Sequence, residues 1–257
     1  MSATGAARER ALRFVRDHGD ALERARAEAI EGGDAAPALE RLEALEPGRA
    51  DAREEVLRVC DELRALRSGV ARRALAALEA GQADDGAFAD PALPLPERLR
   101  RTGELGGILA RSPFGRPANL AAAGDFLARH FTPDLFQGFQ WQNIAAYTRY
   151  FANALHDAAD EVLQWCGREL ERGYRAREFD AVRTARVLLA CDAHGVPGAR
   201  LEREELVLAL VTEQNTDGSF GAEPEPAARV EATLHGLRAL GFLDGGGGAL
   251  DSRARAR

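Results

Sequence analysis

The stretch Gln214–Phe220 (QNTDGSF) has a close counterpart earlier in the chain, Gln82–Phe88 (QADDGAF), and each follows an apolar stretch of helical spacing. Asp-Gly favours a tight turn, because glycine adopts a positive φ at no steric cost. We expect the glutamine to bond backbone groups left unpaired at the helix end. We expect the phenylalanine to fill the seam between one helix pair and the next. The two stretches therefore predict equivalent turns between paired helices.

The rest of the chain carries helical periodicity. Ala, Leu, Arg and Glu dominate, and their side chains cost little in a helix. No stretch shows the alternation of apolar and polar residues that is typical of a strand. The spacing predicts helices over 6–31, 37–45, 51–66, 70–78, 97–110, 118–130, 139–156, 158–172, 179–193, 201–214 and 226–240. We expect an all-α fold in which short connections make consecutive helices antiparallel hairpins.

A second internal match points to a repeat. Aligning Thr184 with Thr233, 49 residues apart, places 183–190 beside 232–239, and each segment runs on to a glycine-containing stop. Helical repeat architectures produce a period of this size, because each helix pair needs neighbours to bury its apolar face.

Length and charge limit the possible functions. The chain has 257 residues and a formal net charge of −7, which disfavours a general binder of nucleic acid or of anionic membranes. We found neither the run of about 18 apolar residues that a membrane span needs nor a secretory signal, so we expect a cytoplasmic protein. We expect residues 1–244 to form one domain, with the helices of 6–66 as an appendage. The segment 245–257 lacks core-forming residues and is expected to be disordered.

The two turns resemble those of the terpenoid cyclase and protein prenyltransferase superfamily, whose repeats carry Gln-x-x-Asp-Gly-x-Phe or Trp between an outer and an inner helix. The resemblance is good over 158–242 and recognisable over 70–90. It implies an α/α toroid with a central cavity for a hydrophobic substrate. Complement-type thioester domains share the turn motif, but their Gly-Cys-Gly-Glu-Gln signature does not occur in this sequence.

The family's catalytic residues carry over only in part. Where class II cyclases have Asp-x-Asp-Asp-Thr-Ala, this chain has Asp180-Ala-Val-Arg-Thr-Ala, so Val182 replaces the proton donor. One repeat later Glu231 falls in register with Val182, and partial burial could raise its pKa towards that of an acid catalyst. Alternatively, Glu231 stabilises a helix N-terminus and His235 is a packed histidine. The catalytic candidates are Asp180, Glu231 and His235.

Zinc chemistry is not expected. Prenyltransferases of this superfamily bind zinc through Asp-x-Cys and a later His, and the matching positions here are Asp180, Val182 and Ala232. A thiolate and an imidazole are therefore missing. We expect neither a metal nor a cofactor.

Aromatic residues are concentrated between 131 and 151, where seven of the sixteen lie. Tyr147, Tyr150 and Phe151, at i, i+3 and i+4, share one helix face. Interleaved amides suit a pocket wall, although the same rings could simply fill a core. The candidate substrate-binding residues are Phe139, Trp141, Gln142, Tyr147, Tyr150, Phe151 and Arg183.

Two hypotheses follow. In the first, the protein binds a hydrophobic, isoprenoid-like or polyketide-like molecule in a central cavity and catalyses a non-redox cyclisation in a biosynthetic pathway. In the second, the toroid has no catalytic role and serves as a binding or protein-interaction scaffold. A cavity lined by Trp141, Tyr147 and Tyr150 beside a buried acid favours the first. A filled core with an apolar patch outside favours the second.

Overall fold

The computed structural model describes residues 2–45, 50–136, 141–191 and 195–244, and all the regular secondary structure of these residues is helical. The α-helices are α1 (Ala3–His18), α2 (Ala21–Ile30), α3 (Ala36–Glu43), α4 (Ala50–Glu62), α5 (Gly69–Ala80), α6 (Leu95–Arg111), α7 (Pro117–Arg129), α8 (Trp141–Asn153), α9 (Ala159–Arg175), α10 (Ala181–Cys191), α11 (Arg203–Glu213) and α12 (Pro226–Leu243), with a 3-10 helix at Pro133–Phe136. The prediction of an all-α fold is confirmed. Within these ranges no helix is long and apolar enough to cross a membrane. The segment 245–257 lies outside the described residues.

The prediction of a single helix over 6–31 is wrong. The backbone is extended at Gly19, where a Cβ would lie 2.7 Å from the carbonyl oxygen of Val15. Asp20 then begins α2 with a capping box: its carboxylate accepts from Glu23 N at 2.8 Å, and the Glu23 carboxylate accepts from Asp20 N at 2.7 Å. Such a reciprocal cap satisfies two backbone donors and starts a new helix.

The chain divides into two compact units. Of the described residues, the first unit contains 2–44, 180–189 and 201–244, and the second contains the remainder. The stretch 6–66 is therefore shared between the units, with α1–α3 in the first and α4 in the second. The single-domain assignment stays a prediction.

Close contact between α6 and α8 organises the second unit. A Cβ at Gly103 of α6 would lie 2.7 Å from the backbone of Ala146, and one at Gly107 would lie 2.5 Å from the Arg149 side chain. Glycines at these positions let the two helices approach almost backbone to backbone. The buried face of α8 is thereby fixed against α6.

In the second unit the turn Gln82–Phe88 joins α5 to α6. Gly86 has φ +96°, as the sequence predicted. The Gln82 side chain donates to the carbonyl of Gly86 at 2.9 Å and to that of Asn119 in α7 at 2.8 Å. Gln82 thus ties the turn to a neighbouring helix, whereas we expected it to bond the end of α5. Phe88 is buried, and its amide donates to Thr102 Oγ1 at 3.0 Å.

In the first unit the turn Gln214–Phe220 joins α11 to α12 with the same geometry. Gly218 has φ +91°. The Gln214 side chain donates to the carbonyls of Gly218 and of Ala7 in α1, both at 2.9 Å. The amide of Phe220 donates to Thr233 Oγ1 at 3.0 Å. Here the helix that the glutamine contacts is α1, from the other end of the chain.

The equivalence extends beyond the turns. At each turn, the aspartate accepts a hydrogen bond from an arginine, and the guanidinium of that arginine lies over a phenylalanine ring. The phenylalanine ring in turn contacts a histidine one helical turn further on. The residues are Asp85, Arg98, Phe126 and His130 at the first turn, and Asp217, Arg229, Phe14 and His18 at the second. Beside the second turn, α1 therefore holds the place that α7 holds beside the first.

Candidate functional site

The aromatic face predicted for α8 exists, and it forms part of the packed core of the second unit. Tyr147, Tyr150 and Phe151 are 1%, 0% and 2% exposed. The Phe136 ring lies 5.3 Å from that of Tyr147 and 4.6 Å from that of Trp165. Trp165, on α9, was not among the candidates. Edge-to-face and tilted contacts of this kind are favourable ring packing, so other rings cover this face.

Both tyrosine hydroxyls on this face are used in packing. Tyr147 donates to the carbonyl of Leu127 at 3.2 Å, and Tyr150 donates to that of Leu120; both carbonyls belong to α7. Burial raises the pKa of both phenols above the ordinary value. The hydroxyls are therefore neutral donors that link α8 to α7, as buried tyrosines usually are.

The other candidate binding residues are placed differently. Trp141 begins α8 and is partly exposed, and Gln142 beside it is exposed. Phe139 lies outside the described residues. Arg183 is exposed and belongs to the first unit, with its Nε 3.6 Å from Asp180. The structure thus gathers Tyr147, Tyr150 and Phe151 in one core and leaves Trp141 and Gln142 near its surface.

Glu231, the candidate acid, is held by ion pairs. Its Oε2 accepts from Arg26 of α2 at 2.7 Å and its Oε1 accepts from the same guanidinium at 3.2 Å, and His235 Nε2 also lies 3.2 Å from Oε1. Burial opposes ionisation of Glu231, but hydrogen bonds to His235 and Arg26 outweigh burial and hold its pKa far below the usual range. A raised pKa was expected, and the structure gives the opposite direction.

The Arg26 side chain, only 5% exposed, is the partner that sequence reasoning missed. It lies 205 residues from Glu231, and no local pattern links the two. A carboxylate that neutralises a buried guanidinium has a structural reason to be ionised. The catalytic assignment of Glu231 and His235 stays a prediction.

Asp180 caps α10. Its side chain accepts from Arg183 N at 2.7 Å, and its carbonyl accepts from the hydroxyl of Thr184 at 3.0 Å. Glu213 accepts from the next amide, Ala181 N, at 2.8 Å. Two carboxylates therefore satisfy donors at the start of this helix, as N-terminal caps do.

A charged cluster in the second unit was also missed. Asp61 of α4 is 2% exposed and lies 3.3 Å from Arg111 of α6 and 2.7 Å from Arg149 of α8. One buried carboxylate between two guanidiniums fixes three helix segments together, and removing it would leave unpaired buried charge.

An apolar groove lies on the surface of the first unit. Leu206 and Leu210 of α11 are buried, whereas Leu208 on the opposite side is 67% exposed. The groove encloses about 300 Å³ between α11, the start of α1 and the end of α12. Its lining residues are Ala3, Thr4, Arg203, Glu204, Val207, Leu208, Val211, Leu243 and Asp244. Sequence reasoning missed this surface, because the sequence of a partly exposed apolar helix looks the same as that of a wholly buried one.

Comparison with known proteins gives the fold and nothing finer. No protein-family model matches the chain, and no curated protein matches it. Among solved structures, the crystal structure of a protein from Actinoplanes is similar, with a TM-score of 0.61 at 14% sequence identity. The similarity covers 94% of this chain and 99% of that one. Identity this low supports a shared fold alone.

Proposed function

We propose that this protein is a non-catalytic helical-repeat scaffold of the α/α-toroid type that acts by binding a partner on its surface. The supporting observation is the contrast between α8 and α11. The aromatic face of α8 is filled core, with Tyr147 and Tyr150 at 1% and 0% exposure, while α11 presents Leu208 at 67% exposure in an apolar groove. A filled core argues against an internal ligand site, and an exposed apolar patch is typical of a surface that binds a partner.

The place of α1 supports closure of the repeat into a ring. In an open array, the helix beside the last turn would be contributed by residues that follow α12. Here Gln214 bonds Ala7 of α1, as Gln82 bonds Asn119 of α7. A closed ring would need the first helix of the chain to pack in its last repeat, and this contact of α1 supports that part of the proposal.

An apolar dye tests whether the α11 groove is open. Nile red is uncharged, and we expect it to bind the native protein saturably. Leu208→Ser should abolish that binding, because it removes the most exposed apolar side chain of the groove. Leu155→Ser is the matched control, since Leu155 is a fully exposed leucine of the second unit. Dye binding that is equal in both variants would overturn the proposal.

Binding of a hydrophobic substrate, with a cyclisation, is the second candidate. It is favoured by the partly exposed Trp141 and the neighbouring exposed Gln142 at the start of α8. Titration with an isoprenoid alcohol, followed by tryptophan fluorescence, tests it. Saturable quenching that disappears in Trp141→Phe and persists in Trp165→Phe would favour this candidate over the scaffold.

A further inference from the structure

Resting on the scaffold function, we infer that the α11 groove binds a basic amphipathic segment of another protein. The segment would place apolar side chains on the groove floor and arginine or lysine at its rim. This assigns a partner class to the groove from its shape and charge.

The floor of the groove is complementary to apolar side chains. Helix α11 buries Leu206 and Leu210 on one side and exposes Val207, Leu208 and Val211 to the groove. The middle of α11, 206–211, is apolar on all sides, and such a stretch is normally covered on all sides. Ala3 extends the same apolar surface and the buried Leu243 lines it, so the residues of an amphipathic helix at i, i+3, i+4 and i+7 would find partners along it.

The rim of the groove is complementary to positive charge. Glu204 and Asp244 are exposed at the two sides of the groove. Glu204 lies in the first turn of α11, where a carboxylate stabilises the helix. Asp244 is the C-cap of α12, where a negative charge opposes the helix dipole. Helix stability therefore does not account for Asp244, whereas a cation supplied by a partner would.

Among the described lining residues Arg203 is the only cation, and its guanidinium is hydrogen-bonded. Its guanidinium donates to the carbonyl of Leu243. Arg203 thus caps the end of α12. The neutral carbonyl does not cancel its charge, but the carboxylates of Glu204 and Asp244 outnumber this one cation and leave the rim net negative for a partner's basic groups. Charge complementarity of this kind selects partners and speeds their association.

The same charges argue against other occupants. A second copy would bring two acidic rims together, and like charges facing each other are costly. Nucleic acid and anionic membranes carry the wrong sign for this rim and for a chain of net charge −7. The chain's own sequence 249–257 (ALDSRARAR) has one leucine and three arginines, so it is the competing occupant that the experiment must separate.

The probe is a fluorescein-labelled synthetic peptide with leucines at i, i+3, i+4 and i+7 and arginines on its other face. We expect saturable binding to the full chain by fluorescence anisotropy, weakened by salt. Leu208→Ser and Asp244→Asn should each weaken binding about tenfold or more. Leu155→Ser and Asp17→Asn, an exposed acid near the end of α1, are matched controls expected to bind normally.

The outcomes separate this inference from the scaffold function. Nile red bound in the groove without peptide binding would overturn the basic partner and leave the scaffold standing. Loss of both would overturn the two together. Equal binding of a peptide with glutamates in place of the arginines would overturn the charge argument. Peptide binding that appears only in Leu250→Ser would identify the chain's own segment as the occupant.

Discussion

At the scale of single residues, Glu231 shows how a partner determines what a carboxylate can do. Its side chain is 38% exposed, but it neutralises Arg26, which is only 5% exposed. A buried guanidinium without a counter-charge is far more costly than a partly exposed carboxylate. The pair therefore stabilises the contact between α2 and α12, and it favours the ionised form of Glu231 rather than the protonated form that an acid catalyst needs.

Replacement of this carboxylate should lower stability. We expect Glu231→Gln to reduce the free energy of unfolding at neutral pH by about 1–3 kcal/mol, less than for a fully buried pair because Glu231 is partly exposed. Urea denaturation measures the change. Glu9→Gln is the control, since Glu9 forms an exposed pair with Arg13 and should matter by less than about 0.5 kcal/mol. A Glu231→Gln protein as stable as the wild type would contradict the structural role.

The same group should make stability depend on pH. The pKa of Glu231 is lowered in the folded state, so the unfolded chain binds more protons as the pH falls through the ordinary range of about 4–5. Its contribution is therefore complete above that range and is lost progressively on acidification. Denaturation curves measured from neutral to acidic pH should show a steeper loss for the wild type than for Glu231→Gln. Parallel curves would argue against the ion pair.

Tyr150 distinguishes a core position from a pocket wall. Removing only its hydroxyl, in Tyr150→Phe, should cost about 1 kcal/mol for the lost hydrogen bond to Leu120. Tyr150→Ala should cost about 3–5 kcal/mol, because a fully buried ring leaves a cavity. Thermal unfolding or urea denaturation checks both. A loss of stability near zero for the alanine variant would mean that Tyr150 lines a cavity rather than fills the core.

At the scale of elements, sequence reasoning succeeded where the chemistry is local. Asp-Gly predicted the turns at Gly86 and Gly218, and both glycines have positive φ. Sequence reasoning failed at Gly19-Asp20, where a capping box divides one predicted helix into two. The shared face of Tyr147, Tyr150 and Phe151 was predicted, whereas the choice between a pocket wall and a filled core was left open. Periodicity indicates which residues share a face, whereas only packing decides whether that face meets a cavity or another ring.

The turn glycines should be intolerant of side chains for two separable reasons. Each has a left-handed backbone, and a Cβ would lie 2.2 Å from the carbonyl oxygen of Ala122 at Gly86 and 2.5 Å from that of Arg10 at Gly218. Gly32 has φ +92° with nothing within 4 Å of its Cβ position. We expect Gly32→Ala to cost about 1–2 kcal/mol of conformational strain alone.

Gly86→Ala and Gly218→Ala should cost more than Gly32→Ala, because the clash adds to the strain and pushes α7 or α1 away from its turn. We expect at least about 2–4 kcal/mol for each. Equilibrium unfolding of the three variants provides the comparison. Equal effects at all three glycines would show that the close approach of α7 and α1 contributes nothing.

At the scale of the whole molecule, the relationship between α1 and α7 is the feature that sequence reasoning could not find. Ala11, Phe14, Val15 and His18 match Ala123, Phe126, Leu127 and His130 in spacing. However, α7 follows its turn along the chain, whereas α1 precedes its turn by about 200 residues. A search for repeats in chain order expects the counterpart of α7 to follow α12. Only the contacts of Gln214 and Arg229 show that the chain's beginning supplies it.

This relationship predicts that α1 can be moved to the end of the chain. Ala3 and Asp244 line the same groove, and the four glycines at 245–248 span at most about 13–14 Å. A circular permutant that begins at Asp20, continues through Gly248 into Ser2 and ends at Gly19 would place α1 directly after α12. We expect cooperative unfolding and a helical circular dichroism spectrum like those of the wild type, because every helix contact is retained.

A matched variant that begins at Asp20 and lacks α1 altogether should lose cooperative unfolding. Its second turn would have no counterpart of α7, and Gly218 and the carboxamide of Gln214 would lose the helix beside them. If α1 were an appendage, the variant lacking it would unfold like the wild type. If α1 completes the last repeat, only the permutant will unfold like the wild type. Failure of both variants to fold would show that the covalent link between α1 and α2 matters more than the contact of α1 with the second turn.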